Sequence, residues 1–400
     1  MDGIYLDNNA TTRVDPLVVD AMLPFFTEKF GNPSSMHSFG DSVGRNLREA
    51  RGQVQALLGA EFDHEIVFTS CGTESDNAAI MSALRTLPDR REIITSAVEH
   101  PAVLSLCRHL EEHEGYRLHV IPVDRRGRLD IDAYVAALST NVAVASIMWA
   151  NNETGNLFPV EQLAKLAKTF GIVFHTDAVQ AVGKVPIDLK SSEIDMLSLS
   201  GHKLHAPKGT GALYVRRGTR FRPLLRGGHQ ERERRAGTEN TTGIIGLGKA
   251  CELALAHLTD ENTRVRGLRD RLEKGIVESV GNCFVTGDPM GRLPNTSNIA
   301  FEFIEGEAIL LHLNRERVAA SSGSACTSGS LEPSHVMRAM DIPFTAAHGS
   351  IRFSLSRDNT AEQIDHVLAV LPPIIKRLRE MSPFWSEGAP AKMAFEPEYA

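Results

Sequence analysis

From about Glu65 onward, short apolar and β-branched runs alternate with longer stretches of helical spacing. The runs are Ile66-Val67-Phe68, Glu92-Ile93-Ile94-Thr95, Leu118-His119-Val120, Val142 to Met148, Ile172-Val173-Phe174-His175, Met196 to Leu199 and Ala212 to Val215. Nearly continuous apolar character, rather than strict alternation, is what strands covered on both faces require. The pattern therefore predicts an α/β fold whose large domain holds a mainly parallel seven-stranded sheet between helices. Near Leu258 the character changes to a charged helical stretch, Glu261 to Val280, with the Arg/Glu spacing of an exposed face. Strand-like runs then return at Ser297 to Phe303 and Gly349 to Leu355, separated by helical segments, as in a smaller α+β C-terminal domain.

Single cores stop growing at roughly 250–300 residues, so a chain of 400 is expected to divide. We assign residues 13–258 to a large cofactor-binding domain, and 1–12 with 259–400 to a small domain carrying an N-terminal arm. Residues from about 382 to 400 have little periodicity and three prolines, and read as a tail. A net charge of −7 argues against a nucleic-acid partner held by a general basic field. The start, Met1-Asp2-Gly3-Ile4-Tyr5, has neither the basic nor the apolar segment of a signal peptide. No run approaches the roughly 18 apolar residues of a membrane helix, so a cytoplasmic chain is expected. Five cysteines, scattered and without a Cys-x-x-Cys pair, fit neither a disulfide framework nor a structural zinc site. Each is expected as a free thiol, and the question is which is placed to react.

Two segments carry the candidate chemistry. Phe174-His175-Thr176-Asp177-Ala178-Val179-Gln180 runs a strand straight into an acid and then an amide, and Leu197-Ser198-Leu199-Ser200-Gly201-His202-Lys203 runs a strand into a polar turn. Both deliver polar groups to the carboxyl edge of a parallel sheet, where such folds bind ligands. Pyridoxal phosphate needs a lysine for its aldehyde, a carboxylate for its ring nitrogen and donors for its phosphate. Lys203, Asp177 and Ser200 suit those tasks, and Ser70-Cys71-Gly72-Thr73-Glu74-Ser75, opening a helix after the Ile66 strand, offers a phosphate cradle. An Asp after a strand is also an ordinary cap, as is Gly-Thr-Glu-Ser, and a lone lysine is ordinarily a surface residue. Their order between strands is what favours a cofactor site.

With these segments in hand, the chain resembles the class V, fold-type-I PLP enzymes, and among them the cysteine desulfurases of the NifS/IscS kind, along almost its whole length. The matching segments are Tyr5 to Thr12, Gly31-Asn32-Pro33-Ser34-Ser35, Thr73 to Asn77, Glu99-His100, Asn151-Asn152-Glu153, His175 to Gln180, Ser200 to Lys203 and Ser321 to Ser330. The resemblance implies that Lys203 carries the cofactor, His100 stacks on its ring, Gln180 bonds its phenolic oxygen, and Thr73, Ser200 and His202 hold its phosphate. It implies that Thr238, within Arg235-Ala236-Gly237-Thr238-Glu239-Asn240, reaches the phosphate of the other subunit, and hence a homodimer. His100, followed by Pro101, also fits a plain helix start.

Ser321 to Ser330 is rich in small polar residues, so a mobile loop is expected over about 321–333, with Cys326 on it as candidate nucleophile. Cys107 and Cys251 fall instead in apolar helical patterns. Arg352 stands in a strand-like apolar run, where its charge needs either an internal ion pair or a substrate carboxylate. The resemblance favours the carboxylate of L-cysteine, with Asn152 assisting. It further implies that the freed Lys203 amine removes the α-proton and that Cys326 takes the sulfur, leaving alanine and a persulfide for an iron–sulfur scaffold. No resident metal is implied, although Cys326 could ligate a cluster iron during transfer. Asp7-Asn8-Asn9-Ala10 and Ala236 to Thr242 look more like the nitrogenase-dedicated branch. A housekeeping desulfurase and a selenocysteine lyase remain the alternatives.

Two other chemistries fit the sequence poorly. His109-Leu110-Glu111-Glu112-His113 matches an inverted zinc-protease pattern, but on a helix whose apolar stripe is Val103, Leu106, Cys107 and Leu110. Gly246-Leu247-Gly248 does not follow a strand and lacks the third glycine of a dinucleotide fingerprint.

Overall fold

The computed structural model describes residues 3–322 and 333–386, with Ala389 and Pro390. Cys326, most of the loop expected around it and most of the expected tail lie outside the described residues. The strands are β1 (Ile4–Tyr5), β2 (Ile66–Thr69), β3 (Glu92–Ser96), β4 (Arg117–Ile121), β5 (Val142–Ser146), β6 (Val173–Asp177) and β7 (Met196–Ser200). They continue with β8 (Gly211–Val215), β9 (Cys283–Thr286), β10 (Thr296–Phe301), β11 (Val318–Ala319), β12 (Ser321–Ser322) and β13 (Ser350–Ser354).

Each of the seven apolar runs forms a strand of one sheet, in the order β2-β8-β7-β6-β5-β3-β4. From β4 through β7 every neighbouring pair is parallel, whereas β8 runs antiparallel to both β7 and β2. The reversed strand escapes sequence reading because an all-apolar run such as Ala212-Leu213-Tyr214-Val215 has no direction. The two-residue period is nonetheless kept: Val67, Ile93, Val144, Met196 and Leu213 enter one core cluster, while Ile66, Phe68, Ile94, Ala145, Leu197 and Tyr214 enter the other. Cys107 and Cys251 are fully buried in these clusters, and burial pushes both thiols up to about 12.

A second core gathers on the antiparallel sheet β12-β13-β10-β9, where Ile299, Phe301, Ile351 and Phe353 pack against Leu272, Ile276, Val367 and Leu371 of two helices. Leu6 joins it, because the arm pairs β1 with β11 and then crosses to β13, the Asn8 N–H donating to the Ser354 carbonyl at 3.1 Å. The helix expected to begin at Glu261 begins earlier. The helix Thr241–Asp260 runs through a π turn, Glu261–Val265, into the helix Arg266–Ser279. Its first half packs on the large-sheet core through Ile244, Leu247 and Cys251, and its second on the small core through Leu268, Leu272 and Ile276. The extra residue of the π turn re-phases the apolar face between the two. Gly248 explains the glycine pair noted in the sequence: a Cβ there would lie 2.6 Å from Ala50 Cα, so the pair serves close helix packing.

Candidate active site

Asp177 closes β6 and Ser200 closes β7, so two polar side chains stand at the carboxyl ends of adjacent parallel strands. A short helical turn, Gly201–Lys203, follows β7 and brings Lys203 to the same edge. A cavity of about 290 Å³ opens there, bounded also by the start of the helix Gly72–Thr86, by His100 and by Arg352. That is close to the lower limit, about 300 Å³, of small-molecule pockets.

Lys203 Nζ donates to the carbonyls of Asn9 at 2.6 Å and Ala10 at 2.8 Å. The same Asn9 carbonyl accepts from Gln180 Nε2 at 3.0 Å. Asp177 Oδ1 accepts from the Val179 N–H at 2.9 Å. Burial pushes its carboxyl above the usual range, and His100, the Val179 N–H and Lys203 pull it back. A cation placed beside it would pull it further down. His100 satisfies both of its readings, because its Nδ1 caps the helix Pro101–Glu114 by accepting from the Ala102 N–H at 3.1 Å while the ring lines the cavity. Burial lowers its pKa, so the imidazole is neutral at pH 7. His202 Nδ1 lies 3.1 Å from Thr11 Oγ1, and burial with two lysines lowers it to about 4.

The cavity's chemistry fits pyridoxal phosphate. Gly72 opens its helix at the cavity, where first-turn N–H groups lack helical partners. A Cβ on Gly72 would lie 2.8 Å from Val179 Cγ2, so glycine is what lets this anion-binding end approach the segment after Asp177. Thr73, Ser200 and His202 line the same cavity and offer further donors suited to a phosphate, and the cavity also holds a carboxylate, Asp177, and an amine, Lys203, of the kinds that a ring nitrogen and an aldehyde require.

Arg352, 4% exposed, donates from Nη1 to the Asn152 carbonyl and from Nη2 to Asp7 Oδ1, each at 2.9 Å, while its buried Nε has no acceptor among the described residues. The arginine thus makes an ion pair and also lines the cavity. Asn152 lines the cavity too. Thr238 does not; it is exposed on the segment before the helix Thr241–Asp260. The span holding Cys326 is anchored on both sides: Ser321 pairs with Arg352 across the sheet, and Ser334 Oγ donates to Glu153 Oε2 at 2.6 Å.

Several further contributors lie within the matching segments but have no task assigned there. Asn9 is 1% exposed and joins four segments, its Nδ2 donating to Thr296 Oγ1 and to the Asn152 carbonyl and its N–H to Ser354 Oγ. Behind Asp177, His175 is fully buried between Ser146 Oγ at 2.8 Å and Ser198 Oγ at 2.9 Å, and burial lowers it to about 3. Asp76 is buried 3.6 Å from His175 and is pushed well up, first by burial and then by the charge of Asp177. Glu99 Oε1 accepts from Ser96 Oγ and the Met148 N–H, its Oε2 has no partner, and burial raises it to about 8. Only the clustering of these acids in space reveals them.

Glu99 yields a pH prediction. Its folded pKa lies above the ordinary 4.5, so the stability it contributes is complete below about 4.5 and is lost as pH rises toward about 8. Glu99→Gln keeps an acceptor for both donors and cannot ionise. Its urea midpoint is expected to gain on that of the parent between about pH 5 and about pH 8. A constant difference across that range contradicts the assignment.

Residues 4–367 match the family model described as aminotransferase class-V. The chain is 70% identical to a cysteine desulfurase of Gluconacetobacter diazotrophicus and 67% identical to the cysteine desulfurase NifS of Azotobacter vinelandii, with all of each chain covered. Among solved structures, a NifS-like protein superposes with a TM-score of 0.88 at 36% identity, over 94% of this chain and 100% of that one. The chain belongs to the aminotransferase class-V family and, within it, to the cysteine desulfurases of the NifS kind.

Proposed function

We propose that this enzyme uses pyridoxal phosphate to take sulfur from L-cysteine, releasing L-alanine and leaving a persulfide on Cys326. One observation carries the reading: Lys203, Asp177, Gln180, His100 and the anion-binding helix start converge on one cavity at the carboxyl edge of the sheet. When bound, pyridoxal phosphate supplies an aldehyde carbon for the substrate amine and a cationic ring that accepts the electrons of the broken α C–H bond.

The protein's residues do the rest. Lys203 would hold the aldehyde of bound pyridoxal phosphate, and its Nζ would take the substrate's α-proton. Asp177, ionised beside a cation, would keep the ring nitrogen protonated. His100 would lie against the ring, Gln180 would donate to the ring oxygen, and Gly72, Thr73, Ser200 and His202 would hold the phosphate. Arg352, which lines the cavity, would pair with a substrate carboxylate in competition with Asp7 and with help from Asn152. The Cys326 thiolate would attack the substrate sulfur; the S–S bond forms, the C–S bond breaks, the β-carbon left behind takes a proton, and the α-carbon regains the proton held on Lys203 Nζ, giving alanine.

The wider assignment is a homodimer in which Thr238 of each subunit serves the other's phosphate; its exposure in its own chain supports this. The acceptor is an iron–sulfur scaffold, and full-length identity to a NifS desulfurase favours nitrogenase maturation. Among the described residues no helix is long and apolar enough to cross a membrane, and we propose a cytoplasmic site of action.

Replacing Cys326 by alanine tests the step that defines a desulfurase. Sulfide release from L-cysteine in the presence of a thiol reductant is expected to fall at least about 10²-fold, with selenocysteine turnover less affected. Retained cysteine turnover would contradict Cys326 as the sulfur acceptor.

A further inference from the structure

Lys184 lies four residues after Gln180 and is 7% exposed, and nothing in the reaction above gives it a task. Its Nζ donates to Gln180 Oε1 at 2.8 Å and to Asn9 Oδ1 at 3.3 Å. A glutamine amide can be turned end for end with almost no change in shape, so its neighbours decide which end faces where. At Gln180 both neighbours decide alike. An ammonium only donates and must face the amide oxygen, while the Asn9 carbonyl only accepts and must face the amide N–H2 at 3.0 Å. Reversal would oppose donor to donor and acceptor to acceptor in a buried place.

The orientation matters because the Asn9 carbonyl also accepts from Lys203 Nζ at 2.6 Å. The N–H2 end of Gln180 and the amine of Lys203 thus meet at one oxygen, and both residues line the cavity. Charge around Lys184 is balanced. Burial lowers it to about 7, Glu261 of the π turn pulls it up, and Lys203 and Arg352 push it down. His205, His257 and Arg357 border the same small void. Protonated, Nζ can only donate; neutral, it still has an N–H for the amide oxygen but can also accept, and the Asn9 carbonyl then sets the amide's direction.

We propose that Lys184 is a positioning residue of the active site, whose buried Nζ locks the Gln180 amide with its N–H2 end toward Lys203 and toward the cofactor's ring oxygen. This rests on the cofactor reading above. A locked donor favours the oxygen in its anionic form and so lowers the pH at which the neighbouring imine gives up its proton.

The test is a pH titration of the visible band of the purified, cofactor-loaded enzyme. Lys184→Met is expected to raise the midpoint by about one pH unit, the worth of one lost hydrogen bond. Lys184→Arg, which keeps a donor-only head, is expected to hold it near the parent. Should Lys184→Met not fold, Lys184→Gln is read instead, with a rise in the same direction. In a Gln180→Ala background the Lys184 substitution is expected to add little, since the amide it orients is gone. An unchanged midpoint in the Lys184 variant overturns the proposal while leaving the cofactor reading intact, as does a full-sized shift in the Gln180→Ala background. A parent enzyme without a visible band overturns both.

Discussion

Lys203→Ala is expected to abolish sulfide release from L-cysteine, by at least about 10⁴-fold, and to leave the protein without a covalently held cofactor. Two tasks fall on this one amine, holding the aldehyde and moving the α-proton, so no neighbouring group replaces it by halves. The nearest candidate is the buried amine of Lys184, which is engaged by Gln180 and Asn9. The fold should survive the change. Lys203 Nζ donates to the Asn9 and Ala10 carbonyls, and the Asn9 carbonyl keeps Gln180 as a donor when the amine is gone. Unchanged far-ultraviolet circular dichroism with lost turnover would place the loss in chemistry. Residual turnover within about tenfold of the parent would contradict the role.

The second large effect is at Asp177. Removing one partner of a buried charge pair costs about 3–5 kcal/mol. With that loss on the transition state, turnover drops by about 10²–10⁴. Asp177→Asn keeps the shape and still accepts from the Val179 N–H, but it cannot hold a proton on a ring nitrogen. Burial already disfavours the carboxylate in the cofactor-free protein, so the same substitution is expected to leave thermal stability unchanged or raised. Activity and stability are thus predicted to move independently, which a measurement of both on one preparation checks.

Much of the fold could be read from the chain because buried parallel strands announce themselves as short apolar runs, and all seven runs became strands of one sheet. The direction of β8 could not be read, for its apolar residues look the same either way along the chain. The π turn at Glu261–Val265 was hidden for a different reason: the rise in charge marks where the helix emerges from one core toward another, and the helix itself starts at Thr241. At the site, Asp177, Ser200 and Lys203 were legible because each follows an apolar run at a strand's carboxyl end. Asn9 and Lys184 were not legible as parts of the site, since their value lies in contacts across the fold, from the arm to β6, β7 and β13. Glu99 and Asp76 stand in matching segments without an assigned task, and burial, with the charge of Asp177 added, is what raises their pKa values. A lone arginine in an apolar run fits an ion pair or a substrate clamp, and the structure pairs Arg352 with Asp7 while placing it at the cavity.

The central claim is a covalent bond between Lys203 and an aldehyde cofactor. Protein purified with ample vitamin B6 should be examined by absorbance before and after borohydride, then digested and mapped by mass spectrometry. We predict a near-visible band that disappears on reduction and leaves the cofactor's mass on the peptide containing Lys203. Colourless protein, or the cofactor's mass on Lys184 or any other lysine instead, would contradict the account.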